Sequence, residues 1–172
     1  RVLKREDWTS HDPHYLYPGN YKTRVGILGA GMIGSRVIEL LRPYDLELLV
    51  FDPFLSDQRA AAMGVTKTSL EEIFKTCHVI SNHIANKPET VGIISRELLE
   101  MMDESATFIN LGRGAQVDMQ ALMDEMIAHP NRTALLDVTD PEEPPREDSP
   151  LYSIENIFIT PHIAGSIGYE TH

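Results

Sequence analysis

A glycine string placed directly between an apolar run and a helical period constrains this chain more than any other feature. Arg24 to Leu28 is a short, mostly apolar run, and Gly29-Ala30-Gly31-Met32-Ile33-Gly34 follows without a gap. Ile33, Val37 and Leu41 then recur every fourth residue until Pro43 stops the pattern. With eleven glycines a chain produces G-x-G-x-x-G by chance now and then, so the string gains meaning from its place between strand and helix. There Gly29 permits a tight turn, Gly31 lets the backbone come close to a ligand, and Gly34 allows the helix to pack tightly on the strand. The helix beginning near Met32 and Ile33 offers unsatisfied N–H groups and the positive end of its dipole, an arrangement that suits phosphate.

The alternation continues to the end of the chain. Strands are expected at 46–51, 65–66, 78–81, 106–111, 133–138 and 157–160. Helices are expected at 56–63, stopped by Gly64, from Ser69 with its capping-box pattern, over 88–102 in two pieces broken at Gly92 and Ser95, and from the Asp118 cap to Ala128. Strands this apolar are covered on both faces, which predicts a doubly wound parallel sheet with helices on each side. At 172 residues and 42% hydrophobic content the chain has a core for one domain and no more.

Lys and Arg number 15 against 26 Asp and Glu, a net charge of -11, which argues against nucleic acid or an anionic membrane as partner. Any anion must therefore be held locally, by the glycine loop. No apolar run approaches the ~20 residues that span a bilayer. The single cysteine, Cys77, leaves no internal disulfide and no metal-ligand spacing, which reads as cytoplasmic.

Parallel sheets of this kind bind ligands beyond the carboxyl ends of their strands, and the unusual residues fall there. Asp52 ends the second strand 18 residues after Gly34, placed to accept hydrogen bonds from ribose hydroxyls and to repel a 2'-phosphate, which favours NAD over NADP. The alternative is that Asp52 merely opens a turn before Pro53. S-adenosylmethionine enzymes share glycine-rich first turns, but the later motifs favour hydride transfer. Asn110-Leu111-Gly112-Arg113-Gly114 follows one strand, Asp137 to Glu142 ends another, and Thr160-Pro161-His162 follows the last. An arginine between glycines suits a small carboxylate, and a histidine beside a carboxylate is a natural proton carrier. Taken singly, Arg113 could be a surface residue, His162 a cap after Pro161 and Glu142 a solvated charge. Their shared place at strand ends lowers the weight of those readings.

In these motifs the chain resembles the D-2-hydroxyacid dehydrogenase family, from about Tyr21 to Ser166. The resemblance implies a Rossmann-type nucleotide-binding domain over 24–166, with 1–23 as hinge helix and linker and 167–172 as the start of an outgoing helix. It implies that Arg113 binds the substrate carboxylate, that His162 is the acid/base, and that Glu142 orients it, with Glu143 as a substitute one position on. Asp137 is implied to contact the nicotinamide amide, while His83, Leu111 and Gly112 line the cofactor side. His83-Ile84-Ala85 stands where relatives have His-x-Pro. The implied chemistry is hydride exchange between NAD(H) and a 2-keto or D-2-hydroxy acid, in a homodimer. Members are about twice this long, so the chain is expected to bind NAD(H) yet turn over little. An NAD(H)-sensing interaction module of the corepressor type carries the same three polar residues and stays open as the alternative.

Overall fold

The computed structural model describes Gly19 and residues 21–165. The expected hinge helix before residue 19 and the outgoing helix from 167 lie outside the described residues. The chain forms strands β1 (Arg24–Leu28), β2 (Glu47–Phe51), β3 (Thr66–Lys67), β4 (Val79–Asn82), β5 (Thr107–Asn110), β6 (Thr133–Leu136) and β7 (Ile157–Ile159). Between them lie helices α1 (Met32–Leu41), α2 (Asp57–Met63), α3 (Leu70–Thr76), α4 (Arg96–Glu100) and α5 (Met119–Ala128). All seven strands pair in parallel, in the order β3-β2-β1-β4-β5-β6-β7.

Local signals set the helix ends. Ser56 accepts the Arg59 amide at the start of α2, and Gly64, with φ 71°, closes it. Ser69 and Asp118 cap α3 and α5 in the same way, through the amides of Glu72 and Ala121. The strand order reverses beside β1, and right-handed crossovers put helices on opposite faces on the two sides of that reversal. Two apolar cores result. One gathers Val25, Ile27, Ile38, Val50 and Leu55, and the other gathers Ile73, Phe74, Ile80, Leu99, Phe108 and Leu122. In α1 the residue turned into the core is Ile38, flanked by Val37 and Leu41, whereas Ile33 is 66% exposed and belongs to the mouth of the glycine loop.

The stretch expected to be broadly helical over 88–102 is helical only at its two ends. Pro88–Thr90 is a single 3-10 turn and α4 starts at Arg96. Gly92 takes φ 66°, and Ile94 instead pairs in parallel with Val117, donating to Gln116 O and accepting from Asp118 N. The carbonyls at the end of α4 are taken up by Arg132, almost fully buried, which donates to Leu99, Met102 and Asp103 and pairs with Glu125. No sequence signal pointed to that residue.

Sheet register is what assembles the site. Phe51, Leu28, Asn82, Asn110, Leu136 and Ile159 form one continuous rung across six strands. The residue after each rung position is therefore Asp52, Gly29, His83, Leu111, Asp137 and Thr160, all at one edge of the sheet.

Candidate functional site

At the reversal of strand order, the glycine loop leaves β1 under tight steric limits. Gly29 has φ 89°, and a Cβ there would lie 2.9 Å from the His83 carbonyl oxygen. A Cβ on Gly34 would lie 1.9 Å from the Gly29 carbonyl oxygen, whereas one on Gly31 would meet nothing within 4 Å. The loop is thus closed toward the protein and open outward at Gly31. Gly31 starts α1 without a side-chain cap, and Met32 behind it is 93% exposed, so the first amides of α1 face outward without side-chain partners. Asp52 holds the loop from the side: Oδ2 accepts the Ala30 amide at 2.8 Å and Oδ1 accepts the Phe54 amide at 2.8 Å. Each carboxylate oxygen retains accepting capacity for a hydroxyl. A cleft of about 680 Å³ opens here, lined by Gly31, Asp52, Phe54, Arg59, Ile84 and Lys87 among others. Together these features fit the pyrophosphate and ribose of a dinucleotide.

The next two strand ends are joined by buried amides. Asn82, Asn110 and Gln116 are all fully buried, and Asn82 Nδ2 donates to Asn110 Oδ1 at 2.9 Å and to Gln116 Oε1 at 2.8 Å. Asn110 Oδ1 also accepts from the Gly112 amide, and Asn110 Nδ2 donates to the Arg113 carbonyl. Arg113 itself is exposed, with extended backbone, and its Nη1 donates to Gly112 O at 2.7 Å. Gly114 presses on the next loop, since a Cβ there would lie 2.0 Å from Thr139 O.

His83 borders the same cleft. Its Nε2 lies 2.9 Å from Ser81 Oγ, while Nδ1 is shut away from solvent with no hydrogen-bond partner among the described residues. Burial pushes this imidazole below the ordinary histidine value of 6.5, so folding favours its neutral form. The unfolded chain takes up that proton first, so stability is expected to fall as the pH drops below about 6.5. Urea midpoints of the wild type and His83→Gln at pH 7.5 and 5.5 check this, the variant losing less over the interval. Equal losses would show that His83 titrates alike in both states.

At the far strand ends, Asp137 is almost wholly buried and organises the turn after β7. Its Oδ1 accepts from Thr160 Oγ1 and from the Ile163 amide at 2.8 Å, and its Oδ2 accepts from the Ala164 amide at 2.7 Å. His162, held inside that turn with φ 52°, pairs through Nδ1 with Glu143 Oε1. The expected partner Glu142 is not the one at the ring. Thr139 Oγ1 donates to the Glu142 carbonyl at 2.7 Å, which folds the loop so that the next residue, Glu143, reaches the imidazole. Leu111 is 38% exposed at the end of β5, and Gly112 is buried against Gln116 and Asn82, where a Cβ would lie 2.4 Å and 2.6 Å from their side chains.

Comparison with known proteins gives this edge a context. The sequence model of the NAD binding domain of D-isomer specific 2-hydroxyacid dehydrogenases matches residues 1–164. The chain belongs to that family. Among relatives, a D-3-phosphoglycerate dehydrogenase of Archaeoglobus fulgidus is 34% identical over 141 residues, which are 82% of this chain and 27% of the relative. A phosphoglycerate oxidoreductase from Vibrio cholerae superposes with a TM-score of 0.76 at 30% identity, over 83% of this chain and 45% of that one. A D-lactate dehydrogenase from Treponema pallidum gives 0.76 at 29% identity, over 92% and 51%. The chain spans between 26% and 48% of the length of the curated relatives it matches. As an NAD-binding domain of this family it has the seven-stranded parallel Rossmann-type sheet that the sequence implied. No helix among the described residues is long and apolar enough to cross a membrane.

Within this 2-hydroxyacid dehydrogenase domain, the structure brings Gly29, Gly31, Gly34 and Asp52 to one side of the strand reversal and His83 against them. Arg113, Asp137, Glu143 and His162 lie on the other side of the same edge. Asp137, expected to face the nicotinamide amide, spends both carboxylate oxygens on the turn that carries His162. Two buried residues escaped sequence reasoning, Asn82 and Gln116. Asn82 follows the expected strand 78–81 and Gln116 falls between two expected elements, so neither position carried a periodic signal for burial.

Proposed function

We propose that this domain serves a dehydrogenase that exchanges a hydride between NAD(H) and a small 2-keto or D-2-hydroxy acid. The observation that carries the reading is the shared edge: an open glycine loop with Asp52 at one end, and the Asp137-pinned His162–Glu143 pair at the other. NAD(H), when bound, supplies or takes the hydride. Gly31, the start of α1 and Asp52 would hold its pyrophosphate and ribose. Arg113 grips the substrate carboxylate with its two-pronged guanidinium and orients the carbonyl. His162 gives a proton to the substrate oxygen in reduction and takes it back in oxidation. Glu143 accepts the Nδ1 hydrogen, which leaves Nε2 as the nitrogen for that transfer. Asp137 keeps the ring from swinging away by holding the Thr160 hydroxyl before it and the Ile163 and Ala164 amides after it.

The matched proteins named as dehydrogenases or oxidoreductases support this reading over an NAD(H)-sensing interaction module. A homodimer and a cytoplasmic location belong to the same proposal, the second resting on the single buried thiol of Cys77. Calorimetric titration tests the cofactor half: NADH is expected to bind at least ~10-fold tighter than NADPH, and Asp52→Ala to erase the difference. NADPH binding as tight as NADH to the wild type would remove Asp52 from the ribose. The substrate half is read by titrating NADH-loaded protein with oxalate, a planar stand-in for a 2-keto acid, and following the amide spectrum. Arg113→Met is expected to weaken oxalate at least ~10-fold. Unchanged affinity would take the carboxylate away from Arg113.

A further inference from the structure

Gln116 has no part in the reading above, yet it is 1% exposed and every polar atom of its side chain is engaged. Its Oε1 accepts from the Arg113 backbone amide at 3.1 Å and from Asn82 Nδ2 at 2.8 Å. Its Nε2 donates to the carbonyls of Ile84 at 3.1 Å and Ala85 at 3.2 Å. One amide thus spans from the loop after β4, which lies against Gly29, to the backbone of Arg113. Gly112, between the two, has no room for a side chain because Gln116 and Asn82 fill the space a Cβ would need. A buried amide with all its bonds made has one low-energy arrangement, and it imposes that arrangement on its partners. The Arg113 carbonyl accepts from Asn110 Nδ2 and from the Gln116 backbone amide, while its exposed side chain makes, among the described residues, a hydrogen bond to the neighbouring Gly112 carbonyl, so the side chain's starting point is set by its backbone.

We propose that Gln116 is a positioning residue for Arg113. By accepting the Arg113 amide while anchored on the segment beside the dinucleotide loop, it sets where the guanidinium stands relative to the cofactor. The inference rests on the reading of Arg113 as the carboxylate grip, and its test separates the two. NADH affinity is measured by calorimetry and oxalate affinity by amide-spectrum titration of the NADH-loaded chain, for the wild type, Gln116→Met and Gln116→Glu. The methionine keeps the shape and loses the hydrogen bonds. The glutamate keeps an acceptor for Arg113, and burial favours its protonated form, whose O–H replaces the donor toward Ile84 and Ala85.

The expected result is a split. Gln116→Met weakens oxalate about tenfold while NADH affinity stays within about twofold, and Gln116→Glu restores oxalate to within about threefold of the wild type. A purely structural residue would lower both affinities together with the melting temperature, and that outcome overturns the proposal, as do equal oxalate affinities in all three proteins. Should the methionine variant not fold, the glutamate variant decides: a folded Gln116→Glu that has lost oxalate about tenfold also overturns it. A wild type that binds NADH but no oxalate removes the carboxylate reading of Arg113, and with it the role given to Gln116.

Discussion

Gly34→Ala is expected to abolish measurable NADH binding and to destabilise the fold by about 3 kcal/mol. The added methyl would lie 1.9 Å from the Gly29 carbonyl oxygen, a backbone atom with nowhere to go. Gly29 cannot retreat, because its own φ of 89° already places it against His83 and Ile84. Helix α1 must therefore move off β1, and Ile38 loses its seat beside Ile27 and Val50. The same shift carries the first amides of α1 away from the proposed pyrophosphate position, so steric and electrostatic losses are expected together. Gly31→Ala is the control, since its Cβ would meet nothing within 4 Å among the described residues and its effect should fall on the ligand. Calorimetry with NADH and urea unfolding read the two effects. Wild-type affinity in Gly34→Ala would mean that α1 is not the phosphate-binding helix.

Asp137→Ala is expected to cost about 3 kcal/mol and to free His162 from its turn. Three donors end on this carboxylate, from Thr160, Ile163 and Ala164, and the variant leaves them facing a buried gap. Burial by itself pushes the Asp137 carboxyl upward, but the hydrogen bonds from Thr160, Ala164 and Ile163 and the nearby His162 outweigh it, and the net value lies below the ordinary 3.8. A carboxyl lowered on folding stabilises the native state above its unfolded pKa, and that contribution disappears as the pH falls through the lower folded value. Acid unfolding should therefore be steeper below about pH 4 in the wild type than in Asp137→Asn. The imidazole resonances of His162 in Asp137→Ala should move toward those of a free histidine as the contact with Glu143 is lost. Unchanged ring signals in a folded variant would show that the turn is held by something else.

The order of elements was legible because each carries its own local signal. Apolar runs at 24–28 and 46–51, the serine caps at 56 and 69, Gly64 as terminator and Asp118 as cap depend on residues within a few positions of one another. The stretch over 88–102 misled for a complementary reason. Its composition permits helix, but the backbone of Ile94 finds better partners at Gln116 and Asp118, which lie more than twenty positions away in the chain. The choice of Glu143 over Glu142 was hidden in the same way. Both stand in one acidic loop, and a hydroxyl on Thr139 that takes the Glu142 carbonyl decides which of them faces His162.

By itself the amino-acid order determined a parallel sheet, a glycine loop between the first strand and helix with Asp52 ending the next strand, and the presence of arginine, carboxylate and histidine at strand ends. Periodicity, caps and breakers act over a few residues, and parallel strands must share a carboxyl edge whatever their order. Only the tertiary structure decided which groups meet. The rung from Phe51 to Ile159 aligned those ends, Asp137 turned inward to hold the His162 turn, and Asn82 and Gln116 joined across two loops. Those pairings rest on burial, where an unmet hydrogen bond costs most, and burial is a property of the whole packed sheet.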